Sequence, residues 1–92
     1  MIQSIRHKRL KRLYEEDDPR GLANEHIARL RDILARPDAA ARIEDVNVPG
    51  FKLHPLKGDL KGFWAVTVRA NWRVIFRFED AGVYDVDYID YH

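Results

Sequence analysis

The stretch FWAVTVRANWRVIFRFEDAGVYDVDYIDYH, residues 63–92, decides the fold because its apolar side chains recur at alternate positions. Every even-numbered residue from Trp64 to Phe78 is apolar. Strict alternation of this kind is typical of strands with one buried face. Turn-forming segments at 70–71 and 80–82 divide the stretch into three strands. We therefore predict a β-meander whose even-numbered side chains face a core.

The same alternation predicts the register of the first hairpin. A two-residue loop at 70–71 would oppose Arg69 to Trp72 and mix the two faces, so we expect a three-residue loop ending at Trp72. This register stacks Trp64 on Phe78. It also gathers three cations on the opposite face: Arg69, Arg73 and Arg77.

The second hairpin is predicted in the same way. Gly82 suits the left-handed position of a three-residue loop at 80–82. That loop opposes Arg77 to Asp85 and Phe76 to Val86, which again matches charged with charged and apolar with apolar.

The N-terminal third predicts a short strand followed by helices. Met1–Ile5 alternates apolar and polar residues, and Ser4 is a candidate N-cap for the next segment. In that segment Leu10, Leu13 and Tyr14 form one helical stripe. Acidic residues at 15–18 are unfavourable at a helix C-terminus, so we expect this helix to end there.

A second helix is predicted from Asn24, its candidate N-cap, to the residue before Pro37. Its apolar residues follow helical spacing: Ile27, Leu30, Ile33 and Leu34. We expect an α/β (α+β) fold in a single domain, residues 1–92. Two to three N-terminal helices would pack on the even face of a mainly antiparallel, twisted sheet.

Composition restricts the class of protein. Ninety-two residues suffice for one small core, and a chain without cysteine has no disulfide scaffold, thiolate nucleophile or zinc knuckle. No apolar run approaches the roughly 20 residues of a membrane span, so we expect a cytoplasmic protein.

The net charge of +1 hides an uneven distribution. Residues 52–77 contain six Lys or Arg and one acid, whereas residues 78–91 contain five acids and neither Lys nor Arg. This separation is consistent with a basic face for an anionic polymer and also with charge pairing between neighbouring strands.

Groups suited to proton transfer and phosphate binding collect in the last third. The candidate site residues are His54, Lys57, Arg69, Arg73, Asp90, Tyr91 and His92. RNA cleavage by its own 2′-hydroxyl needs a base, an acid and cations that stabilise the phosphorane, and two imidazoles suit proton transfer near neutrality. Tyr91 could stack on a base.

Other interpretations stay open at this point. A histidine before proline is often a loop residue, a terminal Asp-Tyr-His can fray, and a small α/β binding domain would show the same composition. Because Asp90 and His92 are even-numbered, alternation also places them on the apolar face of the sheet. Although His54, Asp90 and His92 could ligate a metal, no HxH or HExxH spacing is present, so we expect no metal or other cofactor.

Four motifs together resemble the HigB toxins of the RelE/ParE superfamily, also called plasmid maintenance killer proteins. The motifs are IQSIRHK (2–8), KLHPLKGD (52–59), VRANWR (68–73) and DYH (90–92). The resemblance implies a RelE-like fold and a ribosome-dependent endoribonuclease that cuts mRNA in the A site without metal. By motif position, His54, Arg73, Asp90, Tyr91 and His92 would be catalytic.

The resemblance also implies further contacts and partners. Lys57 and Arg69 would hold RNA. A HigA-type helix-turn-helix antitoxin would neutralise the toxin, and the protein would reach operator DNA only through that antitoxin. ParE-like members share the fold yet inhibit gyrase, so a gyrase inhibitor without nuclease activity is the alternative.

Overall fold

Two helices and a four-stranded antiparallel sheet make up the structure, a computed structural model that describes residues 1–91. The helices and strands are α1 (Lys8–Glu16), α2 (Asn24–Ala39), β1 (His54–Pro55), β2 (Trp64–Arg69), β3 (Trp72–Glu79) and β4 (Gly82–Asp90). Short 3-10 turns span Ile43–Val46 and Gly58–Leu60. The sheet order is β1-β2-β3-β4, which confirms the predicted α+β architecture. Neither helix is long and apolar enough to cross a bilayer in the described part of the chain.

The main core lies between the helices and the even face of the sheet, as the alternation predicted. Phe76 at its centre is fully buried. Fully burying an aromatic or branched aliphatic side chain contributes about 1.5–3 kcal/mol, so the buried side chains of this layer are a large stabilising contribution. Other buried members of the layer are Leu10, Leu30, Ile33, Val66, Val74 and Val86.

A second, smaller cluster covers the middle of the odd face. Ala65 and Ile75 are buried there beneath Leu56 and Phe63, which belong to the segment before β2. The odd face is therefore not a continuous basic surface. Its cations are divided by this apolar cluster, a feature that strand alternation alone did not predict.

The first hairpin differs from its predicted register. Arg69 pairs with Trp72 across a two-residue turn, and Trp64 pairs with Phe76 rather than Phe78. The register shifts between Thr67 and Arg69. Such a β-bulge adds one residue to a strand, so it restores even-to-even pairing after a loop that would otherwise mix the faces. The predicted three-residue loop was wrong, but the predicted faces were retained.

The second hairpin also has a two-residue turn. Asp80 and Ala81 both have positive φ, 49° and 65°, and Glu79 pairs with Gly82. Two consecutive left-handed residues match the twist of the strands that they join. A second register shift, accompanied by a positive φ of 55° at Asp85, realigns the faces.

The chain start runs parallel to β4 but forms only isolated bridges, Ile2 to Val83 and Ile5 to Val86. Ser4 does not cap α1, because its Oγ accepts the backbone N–H of Asp85 at 2.8 Å. His7 is the N-cap, and its Nδ1 accepts the backbone N–H of Leu10.

Helix α2 continues through Pro37, where the sequence predicted an end. Its N-cap is Ala23, one residue earlier than predicted. Proline removes one helical hydrogen bond, but Pro37 lies in the last turn, so the break affects only the end of the helix, and the ring is buried there. Asp38 secures this turn by accepting bonds from the Ile2 backbone N–H and the Tyr14 hydroxyl, both at 2.8 Å.

Candidate functional site

The turn between β2 and β3 and the end of β4 meet at one rim of the sheet. Trp72 pairs with Asp90, and the backbone N–H of Tyr91 donates to the Asn71 carbonyl at 2.8 Å. The tyrosine side chain is 43% exposed. The end of β4 is thus held beside the turn, with an accessible aromatic ring.

Arg73 lies next to this turn, and its guanidinium is oriented by backbone carbonyls. Nη1 donates to Ala70 O at 2.5 Å and to Trp72 O at 3.1 Å. Among residues 1–91, the buried Nε has no hydrogen-bond partner and Arg73 takes part in no ion pair. A fixed cation without a carboxylate is suited to hold a phosphate.

Arg77 differs from Arg73 in its ion pairs, although both lie on β3 and on the same face of the sheet. Its guanidinium contacts Asp85 at 3.2 Å and Glu79 at 3.1 Å. The predicted opposition of Arg77 to Asp85 was wrong in register, because Arg77 pairs with Tyr84, but the two side chains still form an ion pair and this cation is neutralised. Arg6 adds a second cation to Asp85 at 3.6 Å.

His54 lies in β1 on the same face as Arg73. It pairs with Ala65, which pairs with Ile75, two residues along β3 from Arg73. Its Nδ1 is 2.8 Å from the carbonyl oxygen of Lys52. Because a carbonyl only accepts, Nδ1 carries the proton, and in a neutral imidazole Nε2 then has the lone pair that a general base needs.

The two remaining cations of the candidate set are both exposed. Lys57 precedes the second 3-10 turn, in the segment after His54, and Arg69 ends β2 at the hairpin turn. Neither forms an ion pair with any residue that the structure describes. Both are available to a solvent-side anion.

Asp90 lies on the opposite parity from His54 and Arg73, as the alternation predicted. It pairs with Trp72, whose ring belongs to the main core on the even face. Asp90 is exposed at the last position of β4, so it can reach the rim from the even side. His92 lies outside the described residues.

A cluster that the sequence did not single out lies beneath this rim. His26 and Tyr88 are buried and hydrogen-bonded, and Tyr88 stacks on Trp72. Tyr88 is even-numbered, so alternation places it on the apolar face. His26 lies four residues before Leu30 and seven before Ile33, so helical spacing is the signal that could have placed it on the buried face of α2.

The candidate residues at the rim are separate from the groove beside α2. A groove of about 450 Å³ lies between α2 and Val48–Phe51, and none of its lining residues belongs to the candidate set. Small molecules usually bind in concave apolar pockets. A rim with exposed cations, an imidazole and an exposed tyrosine is suited to a nucleic-acid strand.

Comparisons with known proteins agree with this interpretation. The model of a family described as "RelE-like toxin of type II toxin-antitoxin system HigB" matches residues 3–92. The chain is 45% identical to a Proteus vulgaris protein named "Endoribonuclease HigB" over 92 residues, all of both chains. It is 33% identical to Toxin HigB-1 of Vibrio cholerae, covering all of this chain and 98% of that one.

A solved structure supports the fold independently. The YoeB/ParE toxin from Agrobacterium tumefaciens superposes with a TM-score of 0.59 at 15% identity, covering 99% of this chain and 96% of that chain. Such a distant likeness shows the fold alone. The family match and the two relatives show more: the chain belongs to the HigB family of RelE-like toxins from type II toxin–antitoxin systems.

Proposed function

We propose that this toxin is a ribosome-dependent endoribonuclease that cleaves translated mRNA in the ribosomal A site and so inhibits translation and growth. The observation that carries the proposal is the guanidinium of Arg73, which is fixed at the hairpin turn and forms no ion pair with residues 1–91. The exposed Tyr91 is held at the same turn by its backbone bond to Asn71. The name of the Proteus vulgaris relative, an endoribonuclease, agrees with it.

The reaction follows from the chemistry of the candidate groups. A base removes the proton of the 2′-hydroxyl, the O2′–P bond forms, and the P–O5′ bond breaks. An acid returns a proton to the 5′-oxygen, which leaves a 2′,3′-cyclic phosphate and a 5′-hydroxyl. We assign the two proton transfers to His54, Asp90 and His92 as a group. His54 is equipped as a base because its Nδ1–H is held by the Lys52 carbonyl.

The other candidates act on charge and position. Arg73 would stabilise the negative charge that grows on the phosphorane oxygens. Lys57 and Arg69 would bind flanking phosphates, and Tyr91 would stack on a base. Asp90 and Arg73 lie on opposite faces of the sheet. RNA would therefore pass over the rim, with Asp90 on one side and Arg73 on the other.

Partners follow in part from family membership. A toxin of a type II system has an antitoxin partner, and we propose a HigA-type helix-turn-helix protein, through which the complex would contact operator DNA. The ribosome and its mRNA would be the targets in the cytoplasm.

Mapping mRNA 5′ ends after induction tests the proposal. Cuts should appear within translated codons and should disappear in His92→Ala and Arg73→Ala variants. If the mRNA stays intact while DNA-damage responses rise, the protein is a gyrase inhibitor and not a nuclease.

A further inference from the structure

Tyr88 is the point at which the first turns of both helices meet the sheet. Its hydroxyl is hydrogen-bonded to Nδ1 of His26, which lies in the first turn of α2 and is only 5% exposed. His7, the N-cap of α1, contacts the same tyrosine edge-on, with ring centroids 5.4 Å apart. One phenol ring therefore connects α1, α2 and β4.

The contact continues from Tyr88 to the rim. Trp72 stacks on Tyr88 with centroids 4.7 Å apart and an angle of 28° between the rings. Trp72 is the backbone partner of Asp90, and His26 also contacts the Trp72 ring edge-on at 6.0 Å. A packed path thus leads from α2 through two aromatic rings to the residue that pairs with Asp90.

In the described part of the chain, the backbone of β4 is bonded on both sides only as far as Val86. The segment that runs along its outer edge makes its last backbone bond from Arg6 N–H to the Val86 carbonyl, and α1 begins at Lys8. Beyond Val86, backbone pairing of β4 involves β3 on one side, up to the bond from Tyr91 to Asn71.

Tyr88 keeps its proton under all ordinary conditions. Burial, and secondarily the negative charge of Glu25, raises the pKa of the Tyr88 hydroxyl above its usual value. The bond to His26 is therefore made by a neutral phenol. Buried polar groups that are fully bonded restrict a structure to one arrangement, because every alternative leaves a group unpaired.

We propose that His26, Tyr88 and Trp72 form a positioning unit that fixes the end of β4 and thereby the placement of Asp90 and Tyr91. None of the three touches substrate in this scheme. The consequence for cleavage rests on the proposed endoribonuclease activity, whereas the effect on the β4 end does not. Small displacements of a reacting group can cost large factors in rate, so a unit remote from the RNA can still limit kcat.

The test compares two disruptive variants with matched controls. Tyr88→Phe removes only the hydroxyl, and His26→Leu leaves that hydroxyl without its partner. His26→Asn is the conservative variant, because its side-chain amide ends near the position of Nδ1. Tyr14→Phe is the control: it also deletes a partly buried tyrosine hydroxyl, bonded to Asp38 at 2.8 Å, but far along the chain from the rim.

Two measurements separate positioning from general stability. We expect hydrogen exchange of the Tyr91 amide to accelerate about tenfold in Tyr88→Phe and His26→Leu, with exchange in the centre of β3 unchanged. We expect kcat for ribosome-dependent cleavage to fall about tenfold with KM unchanged. His26→Asn should restore both values, and Tyr14→Phe should alter neither.

Other outcomes are equally decisive. If the two variants lower the melting temperature but leave Tyr91 exchange and kcat as in Tyr14→Phe, the cluster is ordinary core packing and the proposal is wrong. If the wild-type protein cleaves no mRNA, the proposed function fails, and the exchange measurement still decides whether the unit positions the β4 end.

Discussion

Replacing Arg73 and Arg77 separately by alanine gives the sharpest comparison within the proposed site. The two arginines lie four residues apart on β3, on the same parity, and both are partly exposed. Arg77 is neutralised by Asp85 and Glu79, whereas Arg73 forms no ion pair with any residue that the structure describes. Only Arg73→Ala should therefore remove charge that is available to a phosphate.

The effects on stability should be small for both variants. Arg73→Ala loses two hydrogen bonds to backbone carbonyls, each contributing about 1 kcal/mol. It also removes a buried Nε–H that has no partner among residues 1–91, which costs about 1–3 kcal/mol. These terms oppose each other, so the free energy of unfolding should change by less than about 1 kcal/mol. Arg77→Ala loses exposed ion pairs, which contribute about 0.2–1 kcal/mol.

The effects on cleavage should differ greatly. Removing one donor that stabilises a developing oxyanion lowers kcat by about 10²–10³, which is the loss expected for Arg73→Ala. For Arg73→Ala, the plot of log affinity for single-stranded RNA against log salt concentration should be less steep by about 0.7, the value for one phosphate contact. Arg77→Ala should leave both quantities near those of the wild type.

Single-turnover cleavage on programmed ribosomes measures kcat, and RNA binding at several salt concentrations measures the slope. Equal losses in the two variants would show that general surface charge matters rather than the orientation of Arg73. An unaltered kcat in Arg73→Ala would refute its role in stabilising the phosphorane.

Three further predictions concern the fold. Phe76→Ala should lower the free energy of unfolding by about 3–5 kcal/mol in urea titrations, because the side chain is fully buried between both layers; a loss below about 1 kcal/mol would contradict the assigned core. Burial and the bond to Asp38 raise the pKa of Tyr14 to about 12. The free energy of unfolding of the wild type should therefore fall as the pH rises from 10 to 12, by about 1–2 kcal/mol for a partly exposed ring. Tyr14→Phe should lack this pH-dependent loss. Ala81→Gly should raise the melting temperature, gaining about 0.5–1 kcal/mol, because Ala81 has a φ of 65°; a lower melting temperature would show that the turn requires the alanine side chain.

Strand alternation predicted which residues face the core, because burial of one face imposes a period of two on any strand. It did not predict the turns. Alternation shows which face of the sheet each side chain occupies, but not the length of the turns. A β-bulge adds one residue to a strand and so compensates for a turn that is one residue shorter. Two-residue turns with bulges near Thr67 and at Asp85 therefore give the predicted even-face pattern in β2, in β3 and from Val86 onward. Before the second bulge the faces of β4 are reversed: Val83 is buried in the core and Tyr84 pairs with Arg77.

The candidate site could be identified in part from residue types, and its electrostatics only in part. The sequence left Arg77 out of the candidate set and placed Asp85 opposite it, but it did not predict the ion pair of Arg77 with Glu79. The acids that neutralise Arg77 are Glu79, two residues away, and Asp85, across the hairpin, and only the pairing of β3 with β4 brings Asp85 to it. The tautomer of His54 likewise depends on its hydrogen bond to the Lys52 carbonyl. Lys52 has a positive φ of 53°, which the sequence did not predict.

Some local signals were outweighed by tertiary contacts. Ser4 has the chemistry of an N-cap, yet the backbone around it bonds to β4, so His7 caps α1 instead. Pro37 marks a helix end in isolation, but its ring is buried and Asp38 anchors the turn after it. In each case long-range hydrogen bonds or burial oppose a local preference, about 1 kcal/mol for the N-cap and about 3 kcal/mol for proline in a helix.

The most direct test of the proposed activity is the analysis of RNA ends from purified protein mixed with ribosomes and a translated mRNA. A ribosome-dependent, metal-independent nuclease should produce fragments with 2′,3′-cyclic phosphate and 5′-hydroxyl ends in the presence of EDTA-treated protein, only when the mRNA occupies the A site. Intact mRNA under these conditions, together with inhibition of gyrase supercoiling by the same preparation, would contradict the proposed function.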